Sequence, residues 1–149
     1  MSNREDIAKN IVEVLEDMTP PRPAFITREP FDVEKLAITQ FPAVLVTTGN
    51  ETREDYAMGG LRRGTIELTI RGIVRSDGRV GAVQTVDEKR NLLIERIEEA
   101  LNANRDRELT SVRAATTHVT NIEIIERTPP LGEFVMTAEV LYSFTKGAV

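Results

Sequence analysis

The chain has 149 residues, a formal net charge of −5, no cysteine and a single histidine, His118. The missing thiols exclude disulfides, thiolate zinc sites and cysteine nucleophiles, and one histidine is too few for a histidine metal site and makes a Ser-His-Asp triad hard to build. The acidic balance disfavours a protein that grips nucleic acid by charge neutralisation, and no apolar stretch approaches the roughly 20 residues of a membrane span.

The N-terminal residues predict a helix from about Asn3 to Met18. Ser2 and Glu5 have the capping-box spacing, and apolar residues then recur along one helical face at Ile7, Ile11, Val14, Leu15 and Met18. Thr19-Pro20-Pro21 ends the helix, because proline cannot continue it. The charged start lacks the apolar segment of a signal peptide, which favours synthesis in the cytoplasm.

The proline-rich residues 20–41 are predicted to be an extended arm that wraps the domain, with a short strand at Phe25 and Ile26. The apolar, β-branched residues 42–48 predict a buried strand. Residues 49–62 are charged and glycine-rich without a period, so they are predicted to form a long, mobile hairpin loop.

Residues 63–76 alternate between polar and apolar side chains, which predicts a strand with one solvated face. Gly72 interrupts this alternation and suggests a bulge or a close approach of another group. Asp77-Gly78 is typical of a turn.

A second helix is predicted from about Val86 to Asn102, with a capping box at Thr85 and Glu88 and an inward stripe that includes Leu93 and Ile97. Residues 103–118 are predicted to connect this helix to the sheet. Two strands follow, at 119–127 and 133–145, separated by a proline turn. The last strand is apolar on both faces, so it is either central in the sheet or covered by something else, the arm or another chain.

This order of elements favours a single domain over residues 1–149 of the α+β class. Hairpin connections favour a mainly antiparallel sheet. Two amphipathic helices and one strongly apolar sheet face are most simply packed as a two-layer sandwich, with both helices on that face.

Sequence motifs for catalysis or cofactor binding are missing. Residues 59–64 contain glycine and arginine but lack the ending of a phosphate-binding loop. The adjacent acidic pairs, such as Glu98-Glu99, are more often a solvated helix face than an acid–base couple. His118 is most simply a half-exposed hydrogen-bonding residue. We therefore expect no enzyme activity, no cofactor and no metal site.

The densest basic cluster comprises Arg62 and Arg63, with Arg53 upstream and Arg71 and Arg75 downstream. One interpretation is a contact to an acidic neighbouring protein. The alternative is charge pairing within the sheet, which contributes only a few tenths of a kcal/mol per pair.

The whole pattern resembles the tail terminator (tail completion, or minor tail protein) family of long-tailed bacteriophages. The resemblance lies in the opening helix at 6–12, the core strand Phe41-Pro42-Ala43-Val44-Leu45-Val46, the charged loop and following strand Arg63-Gly64-Thr65-Ile66-Glu67-Leu68-Thr69-Ile70, the second helix, and the closing strands at 119–127 and 133–144. The resemblance covers nearly the whole chain and depends on the order and length of the elements and on the kinds of residues in them.

The resemblance implies a homohexameric ring in the virion, at the head-proximal end of the tail. Such a ring caps the tail tube, stops its polymerisation and joins it to the connector or head-completion protein, while DNA passes through the lumen without specific binding. No membrane contact is implied. The residues expected to make these protein contacts come from the predicted loop and the basic cluster: Arg53, Glu54, Asp55, Arg62, Arg63, Arg71 and Arg75.

Two other functions fit the same sequence. One is another neck or tail-tube adaptor subunit of the same kind of virion. The other, from a different class, is a small ligand-binding domain or enzyme, against which the lack of cysteine and of catalytic motifs argues.

Overall fold

A computed structural model describes residues 3–55, 61–76, 85–103, 107–108 and 113–145. These form two α-helices and six β-strands, with two short 3-10 helices at Val33–Lys35 and Ile38–Gln40. The elements in chain order are α1 Asn3–Glu16, β1 Phe25–Thr27, β2 Ala43–Asp55, β3 Leu61–Arg75, α2 Val86–Ala103, β4 Arg107–Glu108, β5 Arg113–Ile125 and β6 Leu131–Thr145.

The strands form one sheet in the order β1-β2-β3-β6-β5-β4. Every pairing is antiparallel except that of β1 with β2. The apolar last strand, β6, lies between β3 and β5, so of the positions predicted for a strand apolar on both faces it takes the central one. Both helices pack on one face of the sheet, so the predicted α+β two-layer sandwich is confirmed.

The core lies between the helices and that sheet face. Its fully buried side chains include Ile7, Ile11 and Leu15 of α1 and Leu93, Ile97 and Leu101 of α2, which pack against Ile66, Leu68 and Ile70 of β3 and Met136 and Val140 of β6. The helical stripes predicted from the periodicity are therefore the buried ones. Thr85 also caps α2 as predicted, because its Oγ1 accepts a hydrogen bond from the Glu88 amide at 3.1 Å.

Two aromatic rings of β6 lie directly over two glycines of β3. Gly72 is paired with Phe134, and Gly64 with Tyr142. A Cβ added at Gly72 would lie 2.3 Å from the Phe134 ring, and one added at Gly64 would lie 2.6 Å from the Tyr142 ring. Of the two interpretations of Gly72, the close approach is thus correct, since β3 pairs without a bulge at that point.

The other sheet face has no helix. Ala43, Leu45 and Ile73 are buried on this side, at the end of the sheet where the arm joins it. Phe25 lies beside Ala43 in the β1–β2 register and contacts Phe31 edge to face, with 5.6 Å between ring centroids. The arm thus contributes the predicted short strand. The rest of this face mixes polar side chains such as Thr69 with the half-buried apolar side chains Val135 and Leu141 of β6.

The predicted long loop at 49–62 is wrong. Residues 49–55 belong to β2 and residues 61–62 to β3, which leaves only 56–60 between the strands, outside the described residues. A register shift between Thr48 and Glu51 disturbs the alternation of polar and apolar residues, so the strand signal is lost in the sequence. Cross-strand polar pairs such as Thr52 with Thr65 then continue the ladder.

The connection predicted at 103–118 is likewise wrong in part, because β5 already begins at Arg113. This strand contains two register shifts, after Ala114 and after Val119, which hide its period. The Ser2 cap and the Asp77-Gly78 turn lie outside the described residues.

Candidate functional site

The expected contact residues near the β2–β3 turn lie on paired strands. Glu54 pairs with Arg63, whose Nε donates to the Glu54 carboxylate at 2.6 Å, and both side chains are more than half exposed. Asp55 and Arg62 are register partners in the backbone at the same end. These four charged residues therefore belong to two paired strands. The sequence pattern had placed Glu54, Asp55 and Arg62 in a mobile loop.

Arg71 and Arg75 lie at the other end of β3. Roughly 26 Å of strand separates Arg71 from Arg63, at about 3.3 Å per residue. Arg71 donates to Glu133 through Nε and Nη2, at 2.8 and 3.1 Å. The Arg75 carbonyl accepts a hydrogen bond from Lys89 Nζ at 3.0 Å. The seven expected residues thus form two separate groups, and Arg71 pairs within the sheet.

Glu133 is the centre of the second group. Its side chain is only 3% exposed and accepts hydrogen bonds from both Arg71 and Arg127. Burial by itself would raise the pKa of Glu133, but the bonds from the two guanidinium groups outweigh it and hold that pKa below its ordinary value. A buried carboxylate held in this way ties β3 to β6 and is a structural group.

A second buried carboxylate, Glu51, lies at the opposite end of the sheet on the helix-covered face. Arg4 of α1 donates to it at 3.0 Å, and Arg53 and the Tyr142 hydroxyl donate to it as well. Burial opposes ionisation of Glu51, yet these hydrogen bonds lower its pKa. Burial and the adjacent carboxylate raise the pKa of Tyr142 to about 12. Arg53, one of the expected contact residues, is a member of this cluster.

Three large apolar side chains are exposed in the part of the chain that the structure describes: Ile38, Ile122 and Ile124. Ile122 and Ile124 lie on the helix-covered face of β5, beside fully buried Met136 and Phe134 of β6. Their spacing of two residues within the predicted strand at 119–127 is typical of side chains on one face, but the sequence gave no sign that both would be exposed. They were therefore not among the expected contact residues.

Other surfaces offer little chemistry. A groove of about 610 Å³ lies between the C-terminal halves of the helices and is lined by mixed charges, including Asp17, Arg96 and Glu99. No group of three acidic or histidine side chains suited to a metal ion occurs among the described residues. His118 is half exposed, and its Nε2 lies 3.6 Å from the Glu139 carboxylate.

None of the helices within the described ranges is long and apolar enough to cross a membrane.

Comparisons with known proteins bear on the fold. No protein-family model matches the sequence, and no curated protein does. Among solved structures, the fold is similar to a chain of the virion of a native gene transfer agent particle. The two share 11% sequence identity at a TM-score of 0.57, and the match covers 89% of this chain and 91% of the other. At this identity the likeness concerns the fold.

Proposed function

We propose that this chain is a structural virion subunit that forms a ring and acts as a tail terminator. The ring is a hexamer, as the resemblance to the tail terminator family implies. It caps the tail tube, stops its polymerisation and offers the surface to which the head joins. The observation that carries this proposal is the fold shared with a virion chain over about nine-tenths of both chains. The element order that resembles the tail terminator family supports the same assignment.

The surface chemistry is consistent with a protein that acts by fitting against others. The buried carboxylates Glu51 and Glu133 each accept hydrogen bonds from arginines and so serve the fold, which leaves the function to contacts at the surface. A subunit with a formal charge of −5 also suits a ring whose lumen DNA must traverse without being retained, since six copies carry −30 formally. We accordingly propose a non-enzymatic role in the virion.

Negative-stain electron microscopy of the purified protein, with and without tail tubes of the particle that encodes it, tests the proposal. The expected result is a ring at one end of each tube, the end that faces the head. Deletion of the gene is expected to give tubes of uncontrolled length. Density along the whole tube, or none on tubes at saturating protein, would contradict a terminator role.

The same images distinguish the second candidate, a neck or tail-tube adaptor subunit. The likeness to a virion chain favours this candidate as much as the first, because the name of that particle specifies no position in it. An adaptor would appear at the joint while its deletion leaves tube length unchanged. Tube length in the deletion strain is therefore the measurement that separates the two roles.

A further inference from the structure

We draw no further inference here: the strongest candidate, the groove between the C-terminal halves of α1 and α2, is a cluster of carboxylates whose arginine, Arg96, already pairs with Glu99 at 3.0 Å, and nothing among the described residues shows what covers it.

Discussion

On the helix-covered face of the sheet, β3 and β6 carry the fully buried Leu68 and Val140, while on the opposite face the same strands carry the half-buried Thr69 and Leu141. The first face is held by apolar burial beneath two helices. The second is held at one end by the arm and by charged hydrogen bonds around Glu133. Neighbouring residues of one strand should therefore differ greatly in their tolerance of substitution.

The largest effect is expected from a charge in the core. Val140→Asp should unfold the domain, costing about 4 kcal/mol or more, because it buries an unpaired carboxylate. Leu141→Asp, one residue later on the half-buried face, should keep the domain folded with a lowered melting temperature. Circular dichroism melts of the two variants measure the contrast, and equal losses would show that the second face is covered too.

A methyl group at Gly72 should be the next most damaging change. Gly72→Ala places its Cβ 2.3 Å from the Phe134 ring and should cost about 3 kcal/mol, the upper end of the usual overpacking range. The second variant Phe134→Leu makes room for that methyl. In urea unfolding, the combined variant should lose less than the sum of the two single losses. Strict additivity would mean that the ring is not what excludes a side chain there.

Removal of the Glu133 charge should cost about 2 kcal/mol, because Arg71 and Arg127 lose their shared acceptor. The effect should depend on pH. The pKa of Glu133 is lower in the folded state than its ordinary 4.5, so its stabilisation is complete above about pH 4.5 and is lost as the pH falls through the folded-state value. Glu133→Gln should therefore flatten the fall in melting temperature on acidification. If the melting temperature of the variant falls equally steeply on acidification, the pH dependence comes from other carboxylates.

The smallest effect is expected at the exposed pair of Glu54 and Arg63. Glu54→Gln should change the free energy of unfolding by less than about 0.5 kcal/mol, since both side chains are more than half in solvent. This variant is the matched control for Glu133→Gln, with the same substitution in an exposed pair. If Glu54→Gln and Glu133→Gln lower the free energy of unfolding by similar amounts, burial is not what makes the Glu133 pairs stabilising.

Charge reversal of Arg62 and Arg63 tests the expected docking role of this end of the sheet separately from stability. The double variant Arg62→Glu/Arg63→Glu should fold normally and join heads to tails less efficiently in a complementation assay. Wild-type joining by this variant would remove the β2–β3 end from the interface.

The sequence predicted most of this fold because periodicity reports burial directly. The stripes of α1 and α2, the alternation along β3 and the two-sided apolarity of β6 each follow from what those residues contact. The errors lie where a register shift breaks the period, in β2 after Thr48 and in β5 after Ala114 and Val119. One inserted residue there moves every later side chain to the other face, and no local signal in the sequence marks the insertion.

The surroundings of the expected contact residues could not be read from the sequence, for a physical reason. Arg53 and Arg71 were grouped by charge, but each donates to a carboxylate that other parts of the chain help to bury, Glu51 two residues earlier on β2 for the first and Glu133 on β6 for the second. Exposure of Ile122 depends on where a helix layer ends, which is a property of the packed molecule. Sequence patterns identify charged and apolar residues. Packing decides whether each of them lies in the core, forms an ion pair within the fold or is exposed at the surface.

The two ring-over-glycine contacts have a consequence for how β3 finds β6. Both pairs are spaced eight residues apart on their strands, Gly64 to Gly72 and Tyr142 to Phe134. Sliding one strand by two residues would keep the apolar face inward but would drive both rings into side chains that carry a Cβ. The two pairs therefore fix a single register between β3 and β6, although 55 residues separate the two strands in the chain.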